Sequence, residues 1–199
     1  MNTEPSQAEI QSRLANAHLA RLMGMVLSLR FFSWGGVTAL LCGVLFLEAN
    51  RYPAILGWLG LPALLAVYLA GTGQVLFLIR SVDGLTRAFS LGPLLTVALL
   101  SVAPLRTSPT VVALLLALGL WLYLAGFARQ AMRLGHARAF RWFSRWHTAV
   151  LVGAVLCLVP GWAAPLATVG GVLTLCALLA GWRIWLQELR LSIEERELQ

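Results

Sequence analysis

The run Thr110-Val111-Val112-Ala113-Leu114-Leu115-Leu116-Ala117-Leu118-Gly119-Leu120-Trp121-Leu122-Tyr123-Leu124-Ala125-Gly126-Phe127-Ala128 holds no charged residue, and Arg129 closes it. A helix of that length rises about 28 Å, close to the ~30 Å hydrocarbon thickness of a bilayer. The run therefore reads as a membrane-spanning helix, and the rest of the chain is organised around it.

Five more apolar runs accompany it, at roughly 31–48, 54–79, 88–103, 146–160 and 166–186. None has an acid away from its ends. The third and fifth of the six are short, so flanking residues or local thinning must complete them. The composition agrees: of 199 residues 59% are apolar and 12% charged, with a mean hydropathy of +0.81. A soluble domain carries about 25% charged residues, and half that number cannot cover a water-facing surface. Disorder, collagen-like repeats and a disulfide-stapled secreted module are excluded. Cys42, Cys157 and Cys176 lie inside apolar runs without CxxC spacing and read as small buried hydrophobes.

All 15 basic residues are arginine, for a net charge of +7. With no lysine there is no side-chain amine for Schiff-base chemistry. The arginines are unevenly placed. Arg13, Arg21 and Arg30 precede the first run, and Arg80 and Arg87 follow the second. Arg129, Arg133, Arg138, Arg141 and Arg145 follow the fourth, and Arg183, Arg190 and Arg196 end the sixth. Only Arg51 and Arg106 fall on the opposite side. By the positive-inside rule both termini are expected in the cytoplasm of a bacterial-type inner membrane. Trp34, Trp142, Trp146, Trp182 and Trp185 at the cytoplasmic ends, with Trp58 and Trp162 at the outer ones, read as an aromatic belt.

Residues 1–29 form a polar arm. No apolar leader-like core follows its two acids, so no signal peptide is expected. Ile10, Leu14, His18, Leu22, Val26 and Leu29 recur at three- and four-residue spacing, with Arg13 and Arg21 off the stripe. The pattern predicts an amphipathic helix at the membrane interface, or one packed on neighbouring protein.

The remainder divides into three like units, 30–86, 87–140 and 141–199. Arg30-Phe31-Phe32-Ser33, Arg87-Ala88-Phe89-Ser90 and Arg141-Trp142-Phe143-Ser144 open the odd-numbered runs. Pro53, Pro109 and Pro165 open the even ones, and Leu69-Ala70-Gly71, Leu124-Ala125-Gly126 and Leu179-Ala180-Gly181 lie late in them. Each arginine anchors a helix end to headgroups. Proline suits the first helical turn, where its missing N–H leaves no bond unmade. Gly71, Gly126 and Gly181 remove side-chain bulk so that a neighbouring helix can approach, and Gly43, Ala98 and Gly153 suggest a second such contact in the odd helices. Two runs per unit give every copy the same orientation, so a pseudo-threefold bundle of parallel hairpins is expected.

This combination resembles the HdeD-like acid-resistance membrane proteins. It rests on Leu41-Cys42-Gly43-Val44-Leu45 and Val152-Gly153-Ala154-Val155-Leu156, the proline-marked outer turns, and Ala-Gly followed by arginine at the exit. The likeness covers about residues 30–190. The second unit departs most, with Ala98 for glycine and Pro104 added before Pro109. The resemblance implies six spans and a role in acid or envelope stress, and it brings no catalytic residue.

Nothing in the residues points to an enzyme. Asp83-Gly84-Leu85-Thr86-Arg87 resembles the start of a CDP-alcohol phosphotransferase motif, but Asp83 is the chain's single aspartate, so a turn is expected there. No nucleophile triad, paired carboxylates or metal-ligand spacing occurs, and no cofactor or nucleic-acid partner is expected. His18, His136 and His147 are candidate pH sensors, all placed on the cytoplasmic side and read first as interface or loop residues. Arg129, Arg133, Arg141 and Arg145, with Arg30 and Arg87, read as topology determinants that meet lipid headgroups. Beyond span six the chain continues as a helix. There Leu186, Leu189 and Ile193 offer a face for a homo-oligomer or another membrane protein. The rival function is a channel or transporter for protons or small solutes along the bundle axis, yet the repeated mid-membrane residues are small and apolar rather than polar rings.

Overall fold

The computed structural model describes residues 7–49, 56–81, 83–101, 108–159 and 161–197, all of them in helices and short connections. Seven helices follow in order: α1 (Gln7–Ala49), α2 (Leu56–Arg80), α3 (Gly84–Ser90), α4 (Gly92–Leu100), α5 (Pro109–Arg133), α6 (Ala137–Leu156) and α7 (Ala163–Glu197). Among the described residues four helices are long and apolar enough to cross a membrane, within α1, α2, α5 and α7. Consecutive elements pair, α1 with α2, α3 and α4 with α5, and α6 with α7. The pairs join chiefly through α5–α6 and α1–α7, while α2 barely meets α3, so the three junctions are unequal. Pro53, Arg51 and Arg106 lie outside the described residues.

The run expected as one helix over 88–103 is two helices meeting at Leu91. Pro93 stands in the first turn of α4 and has no N–H to continue α3's ladder, and its ring would crowd the carbonyl four residues back. Leu91 closes α3 by donating its N–H to Ala88 O at 3.2 Å. The break frees the Ser90 carbonyl, which accepts from Gln74 Nε2 of α2 at 2.8 Å. The fifth run falls in α6, whose first half carries Arg138, Arg141 and Arg145 outward and buries Ala139 and Phe143.

The N-terminal arm corrects a second expectation. α1 is unbroken from Gln7 to Ala49, so no separate interfacial helix precedes the first span. Leu22, Met25 and Leu29 are buried in the main core, although Leu14 on the same stripe is exposed. The helix at the far end behaves likewise. Leu189 is fully buried and Leu186 and Ile193 pack against the core, so the face expected to meet a partner is used within the chain.

The core is aromatic. Phe127 of α5 has six rings around it: Phe32, Phe77, Tyr123, Phe143, Trp182 and Trp185, with centroids 4.6 to 6.1 Å away. These rings come from α1, α2, α5, α6 and α7, so one cluster ties the three helix pairs together. Trp182 and Trp185, expected in an interfacial belt, are therefore core residues, whereas Trp34 is exposed as a belt residue would be.

Candidate functional site

Small residues set the helix spacing, but not all of those expected. A methyl group built on Gly181 would stand 2.6 Å from the Phe143 ring and 2.7 Å from Trp142 Cδ1, and one on Gly126 would stand 3.1 Å from Ser90 N. Both glycines thus receive an aromatic segment of their own pair, the end of α3 at Gly126 and the first half of α6 at Gly181. At Gly71 the same addition meets nothing within 4 Å, because Gly73 takes that place against Phe32 at 3.0 Å. Gly43 and Gly153 also face open space, and Ala98 is exposed, so the second set of close contacts is not made within the chain. Other glycines make them instead: Gly35 against Ala70 N at 2.9 Å, Gly36 against Leu179 at 2.8 Å, and Gly119 against Thr96 Oγ1.

These gaps expose backbone carbonyls to side-chain donors. With no Cβ at Gly119, the Thr96 hydroxyl reaches Leu115 O one turn earlier, at 3.1 Å. With none at Gly181, the Trp142 indole donates to Ala177 O at 2.9 Å. Ser28 Oγ donates to Gly73 O at 2.8 Å. In an apolar medium such bonds add direction to contacts that the hydrophobic effect does not drive.

The arginine-rich end carries the polar chemistry. Asp83 is the N-cap of α3, accepting from Thr86 N at 2.7 Å. Its Oδ2 also pairs with Arg129 at 2.9 Å and lies 3.8 Å from Arg133. Thr86 first, and then Arg129, hold this carboxyl well below the usual carboxylate range. Arg129 and Arg133, expected to meet headgroups, are thus engaged by Asp83. Arg87 Nη2 reaches Ser81 O at 3.4 Å.

On the other side of this end, α7 secures the turn between α5 and α6. Glu188 accepts from the backbone N–H groups of Arg138 and Ala139, both at 2.9 Å, and so caps α6 from another helix. His136, in the turn itself, is buried. Its Nδ1 accepts from Trp185 Nε1 at 3.0 Å, and its Nε2 lies 3.3 Å from Ser192 Oγ. Burial lowers the imidazole pKa from its ordinary value, and the Glu188 carboxylate opposes that in part. His18 is half-buried, and His147 stacks on Trp121 at 4.7 Å.

Three of the hollows among the described residues bear on function. An apolar cavity of about 320 Å³ lies between α5, α6 and α7, lined by Ala113, Val150, Gly153, Cys157 and Gly170 among others. A groove of about 330 Å³ between α6 and α7 holds Arg138, Arg141, Arg145 and Glu188. A larger one, about 630 Å³, runs between α1 and α7 past Arg30, Arg183 and Arg190. Among the described residues no group of three or more His, Cys, Asp or Glu could hold a metal ion.

The described residues are all-helical, and four of their helices are long and apolar enough to cross a membrane, as in an integral membrane protein. No family model, curated protein or solved structure matches the chain.

Proposed function

We propose that the chain is a non-enzymatic, multi-pass protein of a bacterial-type inner membrane, of the HdeD-like kind. In this reading it supports acid or envelope stress tolerance by packing in the bilayer and contacting lipids or membrane-protein partners. The α3–α4 pair and α6 supply the third and fifth of six crossings, and the arginine-rich end faces the cytoplasm.

The observation that carries this reading is a core filled by aromatic side chains at the arginine-rich end, beneath an apolar outer surface. The rings around Phe127 occupy the middle of the bundle at its arginine-rich end. Outward-facing Leu61, Leu64, Val67, Val97, Val155 and Val169 are exposed, as lipid contact requires. A conducting path needs polar rings or exposed carbonyls along the bundle axis, so this filling favours a packing role over transport.

The test is survival of a deletion strain under acid shock, with and without the gene restored. Reduced survival that the wild-type chain rescues is the expected result. Proteoliposomes that carry a reproducible pH-dependent current would overturn the packing role.

A further inference from the structure

The groove between α1 and α7 is graded along its length. At one end stand the guanidinium groups of Arg30, Arg183 and Arg190, and at the other the apolar side chains of Val37 and Leu179. The grading follows from antiparallel packing. Arg30, Ser33, Trp34 and Val37 share a face of α1 at helical spacing, and Leu179, Arg183, Leu186 and Arg190 share one of α7. Gly36 lets Leu179 approach to the distance of a missing methyl, which closes the groove's floor.

None of the three arginines forms an ion pair among the described residues, and no acid lines the groove. The neighbouring groove on α6 differs, since Glu188 stands among its arginines. Three like charges line this one groove at the cost of mutual repulsion, and an anion held among them relieves it. Guanidinium forks match phosphate oxygens in pairs. The exposed indole of Trp34 beside them is the side chain that favours the headgroup level of a bilayer.

We infer that this groove binds an anionic phospholipid, its phosphate among Arg30, Arg183 and Arg190 and its acyl chains along Val37 and Leu179. The inference rests on the membrane-embedded reading above but not on a role in stress. A soluble phosphate would match the cations and leave the apolar end unused.

Native mass spectrometry of the full chain, released from nanodiscs of equimolar phosphatidylglycerol and phosphatidylcholine, tests it. The wild type should retain phosphatidylglycerol preferentially. A basic residue near an anionic surface contributes about a fivefold factor. Combined Arg30→Gln, Arg183→Gln and Arg190→Gln should therefore lower the preference about a hundredfold, and replacement of the three by Lys, which keeps the charge and loses the paired donors, should leave an intermediate preference. Arg141→Gln with Arg145→Gln, in the other groove, should leave it unchanged. Should the triple variant fail to fold, Arg190→Gln alone should cost about fivefold. A folded triple variant that keeps the wild-type preference would sink the assignment. Displacement of the lipid by inorganic phosphate alone would sink it too. Loss of lipid preference in the wild type with acid survival intact would reject this site and leave the proposed function standing.

Discussion

Trp185 donates its indole N–H to Nδ1 of His136 across 3.0 Å in the protein interior. A nitrogen that accepts carries no proton, so the ring's single hydrogen resides on Nε2 and points to Ser192 Oγ. A second proton on the ring would have to occupy Nδ1 and face the indole N–H. The contact thus requires a neutral imidazole, and burial favours the same form. Arg133 at the end of α5, Arg138 in the first turn of α6 and Glu188 of α7 flank this turn, and Glu188 is already committed to the first turn of α6.

Acid should therefore loosen the α5–α6 turn from α7. The folded pKa of His136 lies below its unfolded value of 6.5. The stability it contributes is complete above that value and is lost as pH falls through it toward the folded pKa. The thermal midpoint of the detergent-solubilised protein should drop between about pH 8 and about pH 5. His136→Gln should show a lower midpoint at neutral pH and a flatter profile across that range. An equally steep profile in the variant would assign the acid response to other groups.

The glycines should separate by place rather than by motif. Gly181→Ala and Gly126→Ala force a methyl into Phe143 and into the α3 backbone, at a cost of about 1–3 kcal/mol. Gly43→Ala, Gly71→Ala and Gly153→Ala meet nothing within the chain and should leave the midpoint unchanged or raise it, alanine being the better helix former. Thermal unfolding of the five variants in one detergent decides the matter.

Phe127→Ala removes the ring that touches all three helix pairs. The expected loss is about 3–5 kcal/mol, among the largest for any single truncation here. Phe46→Ala, at an exposed position of α1, should cost far less. Denaturant or thermal unfolding of the two variants provides the comparison.

Asp83→Ala should fray α3, because the cap on Thr86 N and the pair with Arg129 vanish together. Asp83→Asn keeps a capping oxygen and loses only the charge. Hydrogen exchange at Thr86 and Arg87 should rise slightly for asparagine and clearly for alanine. A carboxyl held below its ordinary range lends stability that is present above that range and lost as pH falls beneath it. The wild-type cap should therefore persist as pH falls through mildly acidic conditions.

Long apolar runs made the helices legible from the residues, and arginine spacing marked one end of the bundle. The break at Leu91 had its signal in Gly92-Pro93, but an apolar run that continues across a proline conceals it. Identical triplets misled as well: Leu69-Ala70-Gly71 reads like Leu179-Ala180-Gly181, yet Gly73 rather than Gly71 meets Phe32. Periodicity reports which face a residue occupies and not which helix lies opposite. The tie from Glu188 to α6 spans about fifty positions and joins residues with no local reason to meet. His136 looked like a loop histidine because nothing near it in the chain foretells that Trp185 will cover it.

The unequal helix lengths have one more consequence. With 43 and 35 residues, α1 and α7 rise about 65 and 52 Å, well beyond the ~30 Å that hydrocarbon occupies. One fold therefore works in two solvents. Wherever so long a pair extends past the hydrocarbon, water drives its oily surface together. Deeper in the lipid that drive is absent, and closeness depends on backbone meeting backbone, as at Gly35 and Gly119. Detergents and lipids of different thickness would move the boundary between the two regimes and change which half of the protein limits its stability.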